Sequence, residues 1–195
     1  MIDVILLAAG SSVRMKTEKA LLPFAFQETF LSHILSTYLK IDGLDITIVV
    51  NPKNYKRLLQ EQCTQHKRIK IIINSSAEKG RLSSIALGLE KVKKDHGVII
   101  QNIDNPFVTP DIIKGMIKMY RDDTYVVPQH QNMNGHPLLL GSQLVNALKE
   151  TANQLGDFKS FLKEKTPVFY KTYDAAIMAN INSADEYFKW FGKEI

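Results

Sequence analysis

The sequence predicts an α/β protein in three layers, with a mainly parallel mixed sheet in the middle and helices on both faces. Three observations predict it. Val4-Ile5-Leu6-Leu7 is an unbroken apolar run, as in a strand buried on both faces. Further short runs rich in β-branched residues recur along the chain. Between them lie segments with apolar residues at helical spacing, and this alternation argues for repeated βα units joined by right-handed crossovers.

The first strand stops at Ala8-Ala9-Gly10-Ser11-Ser12, five small residues in a row. Small side chains let a ligand approach the backbone, and Gly10 can take a positive φ there. A turn at the C-terminal end of a parallel strand presents several N–H groups at once, a setting that suits phosphate. Arg14 and Lys19 add two cations, a planar fork and a point charge. No Gly-Lys-Ser/Thr ending follows, which excludes the common triphosphatase loop. One Gly stands where the dinucleotide fingerprint needs three.

The next elements follow in order. Thr29 to Lys40 carries Phe30, Ile34, Leu35 and Tyr38 at helical spacing. Asp45 to Val50 reads as an inner strand, and Asn51-Pro52 starts a helix running to about Cys63. Ile69 to Ile73 is a third strand. Gly80-Arg81-Leu82-Ser83-Ser84 opens a helix whose buried face is Ile85, Leu89 and Val92. Gly97 to Ile100 is a fourth strand, ending at Asn102-Ile103-Asp104-Asn105-Pro106. A helix from Pro110 to Tyr120 and a strand from Thr124 to Val127 come next. Gln129 to Gly135 is polar and turn-rich, and His136-Pro137-Leu138-Leu139-Leu140 reads as an edge strand, where Pro is tolerated. Two helices, a strand from Val168 to Thr172 and a last helix complete the chain. Ser183 caps that helix, with Glu186 three residues on.

The totals fit one domain over residues 1–195 with one substantial core. No apolar run nears about 18 residues, and no secretory leader is visible, so neither a membrane span nor export is expected. The single Cys63 forbids an internal disulfide, in keeping with a cytoplasmic protein. Cys63 with His66 is a poor start to a metal site, because no second pair lies nearby. The net charge is +5, but its Lys residues are spread widely, without the interleaved aromatics of a single-strand binder. A small, highly anionic substrate is expected rather than nucleic acid.

Asp104 closes a buried strand beside a Pro. It either opens a turn, as Asp often does, or holds a hard cation at the rim where ligands of parallel sheets bind. Ser83 and Ser84 either cap a helix or hydrogen-bond a ligand.

Leu7-Ala8-Ala9-Gly10-Ser11-Ser12-Val13-Arg14-Met15, followed by Lys19-Ala20-Leu21-Leu22-Pro23, resembles the signature of the molybdenum-cofactor nucleotidyltransferases, above all the molybdopterin cytidylyltransferases. The resemblance implies a Rossmann-like nucleotidyltransferase fold. It implies transfer of a nucleotidyl group, CMP from CTP, to a phosphorylated acceptor such as molybdopterin, with release of pyrophosphate. Residues up to about 127 then bind the nucleotide and about 128–195 serve the acceptor. Arg14, Lys19 and Asp104 are the implied catalytic residues. Leu7 to Ser12, Gly80, Ser83 and Ser84 join them around the nucleotide. Gly135, His136 and Pro137, with Gly156 and Asp157, match segments on the acceptor side; His136 either bonds the acceptor or positions the turn. The implied cofactor is Mg2+, with Mn2+ the alternative, on Asp104 and a second site. Family members carry Asp-Ile-Asp where this chain has Asn180-Ile181-Asn182, so the second ligand here is Asn182, an uncharged amide, with Asp185 one turn on as a substitute. Related guanylyltransferases carry Gly-Gly where Ala8-Ala9 stands, and a methyl at Ala9 narrows the space for a purine. A sugar or alditol phosphate is the alternative acceptor. A nucleotide-binding module without turnover is the alternative class, on the strength of Asn102, Asn105 and Asn182.

Overall fold

The structure, a computed structural model, describes residues 1–10, 15, 17–152 and 156–194. Ser11, Ser12 and Arg14 lie outside the described residues. The chain runs β1 (Ile2–Ala8), a short hairpin β2 (Pro23–Ala25) and β3 (Glu28–Thr29), α1 (Phe30–Leu39), β4 (Asp45–Val50), α2 (Pro52–Gln60), β5 (Ile69–Ile73), α3 (Arg81–Leu89), β6 (Gly97–Asn102) and α4 (Pro110–Lys118). It continues through β7 (Thr124–His130), β8 (Met133–Asn134), β9 (Leu138–Leu140), α5 (Ser142–Thr151), α6 (Phe158–Lys163), β10 (Thr166–Lys171) and α7 (Ala184–Phe191). Among the described residues no helix is long and apolar enough to cross a membrane.

The main sheet has the order β10-β7-β9-β6-β1-β4-β5, with β8 paired to β7. The pairs β1–β4, β1–β6, β4–β5 and β7–β10 are parallel, and β9 runs antiparallel to both β6 and β7. Side chains alternate across the sheet and divide the core in two. Val4, Leu6, Ile46, Ile48 and Ile99 pack with α1, α4 and α7 on one face. Ile5, Leu7, Val49, Val98 and Ile100 pack with α3, α5 and α6 on the other. This is why β1 is apolar at consecutive positions.

Local chemistry sets the helix starts. Thr29 and Ser32 form a reciprocal capping box on α1, and Asn51 accepts from Asn54 N ahead of Pro52. Several boundaries differ from the sequence reading. α2 stops at Gln60, and Cys63 falls on a separate 3-10 turn. α3 ends at Leu89, with Val92 buried beyond it. β7 runs on to His130 and turns back into β8, where the polar composition suggested a loop. β9 is an internal strand and not an edge: Pro137 stands just before it, so no ladder N–H is lost. Glu186 accepts from Asn182 N at 2.6 Å, not from the capping residue.

The segment after β6 is irregular yet buried, so its polar groups need partners inside the protein. Gln101 and Asn105 are completely buried. Tyr38 donates to Gln101 Oε1 at 2.8 Å, and Gln101 Nε2 donates to the carbonyls of Asn102 and Asn105, each at 2.8 Å. The Asn105 amide donates to Ile177 O at 3.1 Å and to Ala179 O. Ile181 N donates to Asp104 O at 2.7 Å. These bonds fasten residues 177–181 against the end of β6.

Removing the Asn105 amide takes the donor from the buried Ala179 carbonyl and leaves Ile177 O with the His136 N–H alone. Asn105→Ala is therefore expected to cost about 2–4 kcal/mol in urea unfolding. Hydrogen exchange at the Ile181 amide is expected to speed up beyond that global loss.

Candidate functional site

The site forms where two parallel strands end side by side. Leu7 of β1 pairs with Asn102 of β6, and Ile103 N donates to Leu7 O at 3.1 Å. Asp104 thus emerges next to Ala8-Ala9-Gly10, a neighbourhood that sheet pairing alone dictates. Asn51, at the end of β4, donates to Ala9 O at 3.3 Å and Gly10 O at 3.5 Å. The same side chain caps α2, so it links the loop to a helix start. Gly10 does not take a positive φ; at this rim Gly80 does, at φ 94°. Among the described residues, nothing lies within 4 Å of a Cβ placed on Gly10.

Lys19 sits on a 3-10 turn after the loop. Its Nζ donates to Asn182 Oδ1 at 2.6 Å and lies 3.5 Å from Asp104 Oδ2. Residues from the beginning, middle and end of the chain therefore meet at one ammonium. The other Asp104 oxygen, Oδ1, is buried and has no hydrogen-bond partner among the described residues. Glu18 likewise has one buried, unpartnered carboxyl oxygen; burial raises its pKa, while Arg57 pulls it down. Among the described residues no three His, Cys, Asp or Glu side chains gather for a metal. Burial pushes the Cys63 thiol up to about 11, and His66 Nδ1 accepts from Arg68 N.

A cavity of about 550 Å³ opens above these groups, lined by Leu7, Ala8, Ala9, Gly10, Lys19 and Asp104. Gly80 and Ser84 close its far side. This size suits a small-molecule ligand. A second cavity of about 780 Å³ holds Gly135, Gly156, Asp157 and Phe158. Gly80, Arg81 and His136 line both, so the two spaces adjoin.

Some sequence candidates turn out to be engaged within the protein. Ser83 Oγ donates to Ser76 O and Gly80 O, and Asn74 donates to both Ser83 and Ser84. Ser83 and Pro137 line neither cavity. Gly135 is required by packing, because a Cβ there would lie 2.6 Å from Ile177 O. Asp157 caps α6, accepting from Ser160 N at 2.7 Å, and that backbone bond holds its carboxyl below the usual range. Asn105 is a fastener for the 177–181 segment.

Arg81 is the residue whose role the sequence left unstated. It opens α3 beside the positive-φ Gly80, and its guanidinium carbon lies 5.5 Å from the Phe158 ring centre. The surrounding protein lowers its pKa from the ordinary value, and Asp104 opposes that shift. Arg remains charged regardless. The visible signal was a cation directly after a glycine at a helix start. His136, half-buried, lies 3.5 Å from Asn102 Nδ2. Burial, then the charge of Arg81, lower its pKa to about 4 against the pull of Asp104.

Residues 4–168 match the family described as the MobA-like NTP transferase domain. The chain is 30% identical over 139 residues to the molybdenum cofactor cytidylyltransferase of Escherichia coli K12, covering 71% of this chain and 69% of that protein. In three dimensions it is similar to Rv0371c of Mycobacterium tuberculosis H37Rv, with a TM-score of 0.79, 19% identity and 98% of each chain covered. A manganese complex of that protein also aligns, with a TM-score of 0.75 at 16% identity over 98% of each chain. 4-Diphosphocytidyl-2C-methyl-D-erythritol synthase from Anaerococcus prevotii aligns with a TM-score of 0.76 and 14% identity, covering 98% of this chain and 96% of that one.

The depressed His136 pKa has a consequence for acid stability. The unfolded imidazole binds a proton near pH 6.5, whereas the folded one resists it to about 4. Stability carried by His136 is thus present above pH 6.5 and is lost as the pH falls toward 4. The expected loss between pH 8 and pH 5 is about 1–2 kcal/mol. Urea unfolding at the two pH values, with His136→Asn as the control lacking this part, checks it.

Proposed function

Because the chain belongs to the MobA-like NTP transferase family and is a nucleotidyltransferase, we propose that it transfers CMP from CTP to a phosphorylated acceptor, molybdopterin foremost. The observation that carries this reading is the meeting of Lys19 and Asp104, which both line the cavity beside Ala8 to Gly10, with Asn182 bonded to the same ammonium. A cation and a carboxylate at one rim suit a triphosphate and its counter-ion.

On this reading the triphosphate lies over the end of β1. Lys19, together with Arg14 and the Gly10 to Ser12 backbone, takes the β- and γ-phosphates. An oxygen of the acceptor's phosphate attacks the α-phosphorus. The bond from that phosphorus to the bridging oxygen breaks, and pyrophosphate leaves with the electron pair. The attacking oxygen is already an anion at neutral pH, so no strong base is needed. The neutral His136 agrees with that economy, serving as a hydrogen-bonding group toward the acceptor. The residues' task is alignment and charge neutralisation.

The chemistry of the donors fits a divalent cation, Mg2+ or Mn2+. Asp104 Oδ1 is a buried carboxylate oxygen with no partner among the described residues. Mg2+ commonly takes one or two carboxylates and completes its shell with phosphate and water. When bound, the cation neutralises charge on the α-phosphate and the leaving group. Asn182 offers an amide oxygen to the same place, shared with Lys19.

Ala8 and Ala9 are buried and fill the floor with methyl groups. That narrowing supports a pyrimidine over a purine. The second cavity gives the acceptor its own space, with Gly135, His136, Gly156 and Asp157 along it. A sugar or alditol phosphate is the competing acceptor.

One observation favours a second reading, binding without turnover: the second ligand position is an uncharged amide already bonded to Lys19. Asn105 no longer speaks for it, since its amide is engaged inside the fold.

Lys19→Ala and Asp104→Ala are expected to lower pyrophosphate release from CTP and acceptor by at least about 100-fold while the melting temperature changes little. Turnover near the parent rate in either variant would refute the mechanism. Activity appearing only in Asn182→Asp would favour the second reading. With Mg2+ present, CTP is expected to raise the melting temperature more than GTP; the reverse order would reject the pyrimidine preference.

A further inference from the structure

We propose that Arg81 is a catalytic residue that joins the two cavities, its guanidinium gripping the acceptor's phosphate and presenting it to the α-phosphate of the nucleotide. This rests on the nucleotidyl-transfer reading and names a residue which that reading leaves without a part.

Position is the first support. Among the described residues of fixed charge, Arg81 is the one that lines both cavities. A group transferred between the two spaces has to pass it.

The second support is its bonding. Among the described residues no hydrogen bond or ion pair engages the Arg81 guanidinium; it rests on the face of Phe158. Phe158 is buried in the second core, so the ring is a fixed platform. Ring contact orients a guanidinium while leaving its N–H fork open, and that fork matches two phosphate oxygens. Lys79 and Lys159 line the second cavity as well, which favours an anion there.

The third support is chemical need. An anionic phosphate oxygen has to approach an anionic α-phosphate, and like charges oppose that approach. Lys19 stands on the leaving-group side, beside Asp104. A cation on the attacking side is required too, and Arg81 supplies it. As the new P–O bond forms and the bond to pyrophosphate breaks, the fork holds the oxygens of the attacking phosphate and no proton moves.

The test uses the full chain and phenyl phosphate, a planar phosphomonoester, as the probe. Its binding is followed by calorimetry with and without saturating CTP and Mg2+. Arg81→Ala is expected to weaken phenyl phosphate binding at least about 10-fold while CTP affinity stays within about 3-fold. Arg81→Lys, which keeps the charge and loses the fork, is expected to fall between. With a working acceptor, Arg81→Ala is expected to lower kcat about 100-fold. If Arg81→Ala does not fold, Arg81→Gln takes its place, since its length still covers Phe158. The proposal is overturned if the parent protein does not bind phenyl phosphate at millimolar concentration. It is overturned equally if the variants bind it as the parent does, or if CTP affinity falls as far as that of the probe. Loss of phenyl phosphate binding in the variant, in a parent protein that binds no nucleotide, upholds the arginine's grip on phosphate and overturns nucleotidyl transfer instead.

Discussion

A buried turn without regular structure governs this molecule. Residues 102–105 leave β6 inside the protein, where an unpaired amide or carbonyl carries a penalty of about 1–3 kcal/mol. Gln101 and Asn105 meet that demand with side-chain amides, and Tyr38 anchors Gln101 from α1. Because Asn105 turns outward to Ile177 and Ala179, the solution for the turn also docks the segment leading to α7. Asn182 reaches Lys19 only because that docking holds. A requirement of hydrogen-bond satisfaction is in this way converted into a functional arrangement.

Charge is distributed across the rim with some economy. Lys19 lies between a carboxylate and an amide, so its ammonium is neutralised in part and remains attractive to an anion. A second carboxylate at position 182 would add negative charge beside it; the amide supplies an acceptor without that cost. The imidazole of His136 stays neutral because it is sheltered and faces Arg81. Around the first cavity Lys19 and Arg81 thus stand among three carboxylates, Asp104, Glu18 and Glu78.

The two cavities correspond to the two kinds of strand pairing. The first sits over parallel β1 and β6, whose C-terminal ends converge on one rim. The second borders the region where β9 enters antiparallel between β6 and β7. Gly135, immediately before that strand, has no room for a side chain against Ile177. Insertion of β9 consequently sets the distance between the two spaces, and α3, starting at Arg81, spans the boundary.

The chain's local patterns determined much of this. Apolar runs marked β1, β4 and β6, because a strand covered on both faces needs no polar alternation, while β5, at the edge of the sheet, carries Lys70 within its run of isoleucines. The small-residue run after β1 and the Asp-Asn-Pro turn after β6 marked the rim, and sequence resemblance tied both to nucleotidyl transfer. What local pattern could not carry was anything fixed by partners distant in the chain. Pro137 reads as an edge signal, yet β9 is internal, since strand order depends on which neighbours close the sheet. Asn105 reads as a departure from a metal motif, yet its amide is a fastener whose acceptors lie more than 70 residues away. Asp157 reads as an acceptor contact and proves also to be a helix cap. Arg81 carries no role in the sequence beyond opening a helix, and only packing shows the ring beneath it and the two cavities beside it. Spacing along a chain reports local geometry, whereas the partner of a buried amide or a guanidinium is chosen by the tertiary fold.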